Sequence, residues 1–142
     1  MKYAFLLTAF VVTTALSPMA HGQPTRLTPT QNGPLRSALE AARTTDYPAA
    51  EKALGAIGGA DRPQALTALA RIMFEQGRFA EAERYAAQSA NATAERWTAT
   101  ALRGEILEAQ GKVDEAIKLL DPIKDGPGVG GRRVRLVLGD LL

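Results

Sequence analysis

The chain contains no cysteine and only one histidine. Without cysteine it can form no disulfide, no thiolate metal site and no thiol nucleophile. The histidine, His21, lies in an N-terminal segment that we expect to be cleaved off, so the remaining chain also lacks the imidazole that Ser-His-Asp catalysis and histidine metal sites require. We therefore expect no catalytic residues, no metal site and no cofactor, and we predict that the protein is not an enzyme.

Aromatic residues are also scarce, and neither sign of charge dominates. The 142 residues, a length that suits one domain, are 46% hydrophobic but only 6% aromatic, so a core must be built mainly from Ala and Leu. That composition favours closely packed helices. Lys and Arg number 17 against 15 Asp and Glu, a net charge of +2. So small a surplus creates no strong attraction to nucleic acid or acidic lipid, and we predict no nucleic-acid partner.

Only one long apolar run is present, from Tyr3 to Leu16. Lys2 precedes it, and small residues at Ala20 and Gly22 mark a cleavage position before Gln23. This is the layout of a secretory signal peptide. The alternative is an uncleaved membrane anchor, but such a run rises only about 21 Å as a helix, short of a hydrocarbon core of about 30 Å. We predict that residues 1–22 are a cleavable signal peptide, that the protein is secreted or periplasmic, and that it is not inserted in a membrane after cleavage.

Residues 23–33 are polar, contain two prolines and show no apolar period, which predicts a flexible leader. From Pro34 onward, apolar residues recur at the i, i+3, i+4, i+7 spacing of amphipathic helices. This spacing, with Gly, Pro and cap-competent residues between the segments, predicts an all-α fold of seven helices: Pro34–Arg43, Pro48–Ile57, Asp61–Gln76, Phe79–Ala90, Ala94–Gln110, Val113–Asp121 and Arg132–Leu142. We expect Asp61 and Thr93 to act as N-caps, and the short turns to make neighbouring helices antiparallel.

The chain repeats itself with a period of 34 residues. The string EQGRFAEA at residues 75–82 returns as AQGKVDEA at residues 109–116, with Gly77 matched to Gly111. A fainter copy, residues 46–50, aligns with residues 78–82 at an offset of 32. Periods of this size indicate stacked helical repeats, in which each unit buries its apolar face against the next.

The repeated residues resemble those of the tetratricopeptide repeat (TPR) family, whose 34-residue unit is a pair of antiparallel helices. The family's turn glycine, following aromatic position and small helix-packing residue correspond to Gly77, Phe79 and Ala82 in the clearest copy. Matching positions in the other copies are Tyr47, Ala50, Gly111, Val113 and Ala116. The chain departs from the pattern at the first turn, which has Thr45, and at Trp97, which is out of register. The resemblance implies a right-handed α-solenoid over residues 34–142, with about three units and a partial fourth.

By the same resemblance, the first helices of the units line a concave groove that binds a peptide or partner helix, which makes the chain an exported protein–protein interaction scaffold. The groove-facing positions that map onto this sequence are Arg43, Gln64, Thr67, Arg71, Phe74, Glu75, Thr98, Ala101, Glu105, Glu108 and Arg133. Their mixed charges would fix the register of a peptide, and Phe74 would serve as an apolar anchor.

Two other functions fit the same residues. The repeats could form the N-terminal adaptor of a longer exported enzyme, such as a peptidase or an envelope-synthesis enzyme. Alternatively, the chain is a structural subunit of a large assembly, in which a neighbouring subunit fills the groove. The sequence stops inside the first helix of the fourth unit, so we expect either further chain or an external surface to cover that helix.

A glycine-rich segment, Gly126–Gly131, matches the spacing G-x-G-x-x-G. Dinucleotide binding requires a strand before this motif and an acidic residue about 20 positions later. The preceding segment is predicted to be helical and the chain reaches only Leu142, so we interpret the motif as a mobile loop between repeats. The basic residues that follow it are expected to lie on a solvated face, and Trp97 is expected to pack between units.

Overall fold

A computed structural model describes residues 33–142, which form seven α-helices and two short 3₁₀-helices without any strand. The predicted signal peptide and all but the last residue of the predicted leader lie outside the described residues. This confirms the predicted all-α class and the number of helices. The α-helices are α1 Pro34–Arg43, α2 Tyr47–Gly55, α3 Arg62–Glu75, α4 Phe79–Ala90, α5 Arg96–Ala109, α6 Val113–Leu120 and α7 Gly128–Leu141. None of these helices is long and apolar enough to cross a membrane.

Three turns of three residues each join α1 to α2, α3 to α4 and α5 to α6, and all have the same geometry. In the second turn the N–H of Gly77 donates to the carbonyl of Phe74 (2.9 Å), and the N–H of Arg78 donates to that of Met73 (2.7 Å). These are the two bonds of a Schellman C-cap, which needs one residue at positive φ. In the three turns in chain order, that residue is Thr45 (φ 61°), Gly77 (φ 74°) and Gly111 (φ 74°). The repeated sequence therefore encodes a repeated turn.

Each turn reverses the chain, and a small residue lets the two helices approach closely. Ala50, Ala82 and Ala116 occupy equivalent positions in α2, α4 and α6, and all three are fully buried. In the third pair the partner helix also contributes a small residue: a Cβ added to Gly104 would lie only 2.6 Å from Cδ1 of Leu120. The burial of all three alanines agrees with the packing role that the resemblance implies for them.

The pairs pack in series, and their contacts form two apolar clusters. The second helix of one pair contacts the first helix of the next, α2 with α3 and α4 with α5, while the first helices also touch each other. The larger cluster includes Leu66, Leu69, Ala70 and Met73 of α3, which have the i, i+3, i+4, i+7 spacing of an amphipathic helix. The smaller cluster joins α5, α6 and α7. Every unit therefore depends on its neighbour for burial of its apolar face.

The last helix differs most from the sequence prediction. It begins at Gly128, four residues before the predicted start at Arg132, so most of the expected mobile loop is helical. The reason is close packing against α5: a Cβ on Gly130 would lie 2.5 Å from Cβ of Trp97 and 3.0 Å from the backbone nitrogen of Thr98. α7 contacts α5 more extensively than α6, and Trp97 packs between the two units as expected.

The two predicted N-caps are also corrected. Asp61 precedes α3, but its backbone has φ −86° and ψ −8°, and its side chain makes no capping hydrogen bond. A capping side chain reaches the helix N–H groups from the extended region, whereas Asp61 already belongs to a 3₁₀ turn. Helix α5 begins at Arg96 with Glu95 at the N-cap position, so Thr93 lies outside it in the preceding turn. Elsewhere the predicted helix ends agree with the structure to within two residues.

Candidate partner-binding face

The first helices α1, α3, α5 and α7 touch one another in series, and two hollows open between them. We call their shared surface the first-helix face. The first hollow, between α1 and α3, has a volume of about 430 Å³. Its walls are mainly apolar, and its lining residues are Leu39, Ala42, Arg43, Ala68, Arg71, Ile72 and Glu75. Charged groups thus lie at the rim of a cavity with an apolar interior, the usual composition of a site for an apolar side chain.

The second hollow, between α5 and α7, is larger and more polar. Its volume is about 600 Å³, and it is lined by Glu105, Glu108, Val129, Arg132, Arg133, Leu136, Val137 and Asp140. Three carboxylates and two guanidinium groups share this lining with three apolar side chains of α7. Because both signs of charge are present, this hollow creates no field that favours either an acidic or a basic ligand.

An ion-pair triad connects three of the first helices between the two hollows. Arg71 on α3 donates to Oε2 of Glu105 (2.5 Å), and Arg133 on α7 donates to Oε1 of the same carboxylate (2.9 Å). The Glu105 side chain is 19% exposed. Burial alone raises the pKa of Glu105, but the hydrogen bonds from the two arginines outweigh burial and hold the pKa below its ordinary value. Both carboxylate oxygens are therefore occupied within the fold.

Other charged residues at the rim of the first hollow are bound less tightly. Oε2 of Glu75 accepts a hydrogen bond from the Tyr47 hydroxyl (2.8 Å), and this bond raises the pKa of Tyr47. Arg43 pairs with Glu40 one turn earlier on α1, and the Arg43 side chain is 78% exposed. Such an exposed pair contributes little to stability, so Arg43 can exchange its partner at small cost.

Phe74 does not line either hollow. Its ring is half-buried and packs against Phe79 at a centroid distance of 5.9 Å, in a tilted arrangement that aromatic pairs favour. The Arg71 guanidinium lies 5.7 Å from the same ring. Phe74 therefore connects α3 to α4 and supports the arginine of the triad, which corrects its expected position as a free apolar anchor.

Four more of the expected groove residues lie elsewhere. Thr67 is engaged inside the fold, where its hydroxyl bonds with Ser89 (2.7 Å) and Glu95 (3.1 Å). Ala101 is fully buried in the smaller core cluster and has no surface for a partner. Thr98 is half-buried at the contact between α5 and α7, and Gln64 is exposed but borders neither hollow. The prediction of a groove surface was wrong for Ala101, because α7 crosses α5 at the positions that the repeat pattern leaves open.

The structure thus brings six of the eleven predicted residues to the hollows: Arg43, Arg71, Glu75, Glu105, Glu108 and Arg133. Sequence reasoning missed the apolar lining of the first hollow, because the helical spacing of Leu39 and Ala42 favours burial in the core. It also missed Val129 and Leu136. These two residues are seven positions apart, a helical spacing that is recognisable only if the helix is extended back to Gly128.

Within residues 33–142, no group of three carboxylates or other ligating side chains is placed to hold a metal ion. No protein-family model matches the chain, and no curated protein is similar enough in sequence to be counted as a relative. The geometry of the first-helix face must therefore be interpreted from its own residues.

Proposed function

We propose that this chain is an exported TPR-like scaffold, a right-handed stack of helix pairs that binds a peptide or a helix of another protein on its first-helix face. Three observations support the TPR-like arrangement: the repeated Schellman turns, the buried alanine in the helix that follows each turn, and the serial packing of the pairs. The sequence of residues 1–22 supports export, as the layout of a signal peptide.

The observation that carries the binding proposal is the hollow between α1 and α3. Leu39 and Ala68 are half-buried there and Ile72 closes the floor with 2% exposure, so an apolar group entering the hollow would leave water. Arg43 stands at the rim with most of its side chain in solvent. An apolar side chain of the partner would fill the hollow, and Arg43 would bind a carboxylate or carbonyl next to it in the partner.

The triad has a different part in this proposal. Glu105 is bound by an arginine from each side, so a partner that paired with Glu105 would first have to displace Arg71 or Arg133. Removing one member of a partly buried pair leaves the other without its counter-charge. The triad therefore fixes the spacing of α3, α5 and α7, while the hollow between α1 and α3 provides the contact surface.

Site-specific photocrosslinking in the producing cells tests the proposal. A photoreactive residue at position 42, in the hollow, is compared with one at position 80, an exposed position of the same residue type on α4. We expect discrete crosslinked products from position 42 only. We also expect Ala68→Glu to abolish them by placing a charge in the apolar hollow, while the control Ala80→Glu leaves them unchanged. Equal products at both positions, or products that survive Ala68→Glu in a folded variant, would refute binding at this hollow.

Export is tested separately by intact-mass analysis of protein recovered from outside the cytoplasm. We expect a mature chain that begins at Gln23. A mass that includes Met1 would reject the predicted cleavage, and it would do so whatever the crosslinking result.

A further inference from the structure

The outer surface of α7 carries two large apolar side chains that no described residue covers. Val129 is 72% exposed and Leu136 is 66% exposed, whereas Val134 and Leu138 on the opposite side of the helix are buried against the rest of the fold. Val129 and Leu136 are two turns apart, so they lie on one side of α7. We call this side, which also carries Arg132 and Asp140, the α7 outer face.

Comparison with α5 shows how unusual this exposure is within the molecule. Val134 and Leu138 follow the buried Leu102 and Ile106 of α5 at a constant offset of 32, and both pairs pack against the preceding unit. At the same offset Leu136 corresponds to Gly104, which α6 covers closely on α5. The α7 outer face is therefore the counterpart of a surface that helices cover elsewhere in the fold.

The charges on this face have a symmetry that identifies the occupant. Arg132 precedes Leu136 by four residues and Asp140 follows it by four, so the three side chains form one i, i+4, i+8 row. Both charged residues are exposed, and within residues 33–142 neither side chain makes an ion pair or a hydrogen bond. When two such rows meet in opposite directions about Leu136, the arginine of each row lies opposite the aspartate of the other.

We infer that the α7 outer face pairs with the same face of a second copy of this chain. The two α7 helices cross with their i±4 rows side by side, a crossing of about −50° that is the commonest in helix packing. Leu136 of each copy lies at the twofold axis, which is the self-complementary arrangement of an isologous dimer. Two Arg132–Asp140 ion pairs flank the leucines and fix the antiparallel direction. This inference does not depend on the partner proposed for the hollow between α1 and α3.

Sedimentation analysis of the protein, purified as cells produce it, tests the pairing over about 10 μM to about 1 mM, the range suited to a small interface. We expect a reversible dimer. Leu136→Glu should leave a monomer throughout that range, because it places two carboxylates at the axis. Asp140→Arg should weaken dimerisation roughly tenfold or more, since it juxtaposes like charges at two positions.

The double variant Arg132→Asp with Asp140→Arg exchanges the two charges and should restore dimerisation to within a few-fold of the wild type. Asp114→Arg, an equal change of charge at an exposed position of α6, is the control and should leave the dimer intact. Circular dichroism verifies that each variant is folded. A monomeric wild type at the highest concentration, a dimer that tolerates Leu136→Glu, or a double variant as weak as Asp140→Arg would each overturn the inference.

Discussion

The first of the three repeated turns has the wrong residue for its geometry. Thr45 adopts φ 61°, in the left-handed region where the equivalent residues are Gly77 and Gly111. A branched Cβ is unfavourable in that region, yet the two bonds of the cap are both formed: the N–H of Thr45 donates to Ala42 (3.1 Å) and that of Asp46 donates to Ala41 (3.0 Å). We therefore predict that Thr45→Gly stabilises the protein.

The size of the effect follows from two opposing terms. An L-residue in the left-handed region costs about 1–2 kcal/mol, and glycine loses about 0.5–1 kcal/mol more than other residues in backbone entropy on folding. The hydrogen bond from the Thr45 hydroxyl to the Thr44 carbonyl is exposed and adds little. The free energy of unfolding should therefore rise by about 0.5–1 kcal/mol, which raises Tm by about 2–4 °C for a domain of this size.

The reverse change uses the second turn. Gly77→Ala should lower the free energy of unfolding by about 0.5–1 kcal/mol, which is the backbone strain less the entropy difference between glycine and alanine. No steric clash adds to this value, because a Cβ there meets nothing within 4 Å. Gly55→Ala is the matched control: its Cβ also meets open space, but φ is not positive, so alanine should be neutral or stabilising. Urea and thermal unfolding followed by circular dichroism measure all three. A destabilised Thr45→Gly variant, or a Gly77→Ala variant no weaker than Gly55→Ala, would contradict the assignment of strain to these turns.

Two further predictions concern the contacts of α7 and the triad. Gly130→Ala should destabilise the protein by about 1–3 kcal/mol, as overpacking does, and a shift of the Trp97 fluorescence maximum should report the disturbed contact. The control is Gly139→Ala, which has free space in the same helix and should neither destabilise the protein nor shift the fluorescence. Equal stability of the two variants would exclude the close approach. Glu105→Gln should lower the free energy of unfolding by about 1–2 kcal/mol at neutral pH. The pKa of Glu105 in the folded protein lies below its unfolded value of about 4.5. The ion pairs therefore stabilise the protein fully above pH 4.5, and this stabilisation is lost as the pH falls through the folded pKa. The difference in unfolding free energy between wild type and Glu105→Gln should therefore shrink in acid, and a constant difference from pH 7 to pH 3 would contradict the ion-pair assignment.

The helices could be predicted because their signals are local. The ends of α1 and α4 follow directly from Pro34, Arg43, Phe79 and Ala90, where apolar periodicity and turn residues agree. The start of α7 could not be predicted in this way. Glycine at Gly128–Gly131 ordinarily interrupts a helix, and it is tolerated here because the absence of side chains lets α7 approach Trp97. That reason is a tertiary contact, which no propensity or local pattern contains.

The site was predictable in part for the same reason. A repeat pattern identifies which helices share a face, and it correctly brought Arg71, Glu105 and Arg133 together. It does not contain the rotation of one unit on the next, which decides whether a position is covered. Ala101 is fully buried and Leu136 is 66% exposed, although both lie on first helices.

The charges that identify the first-helix face in the sequence do not all select a ligand. Glu105 binds two arginines and Glu75 binds Tyr47, so a partner gains from these groups only by breaking bonds that the fold already has. Arg43 and the apolar hollow beside it are open, and a ligand loses nothing comparable when it binds there. A hydrogen bond that is exchanged for another contributes little net free energy to binding, whereas burial of apolar surface contributes directly to the binding free energy. Substitutions that fill or charge the hollow should therefore weaken partner binding more than neutralising the triad does. If neutralising Glu105 proved as damaging to crosslinking as Ala68→Glu in equally stable variants, the triad itself would be the contact surface.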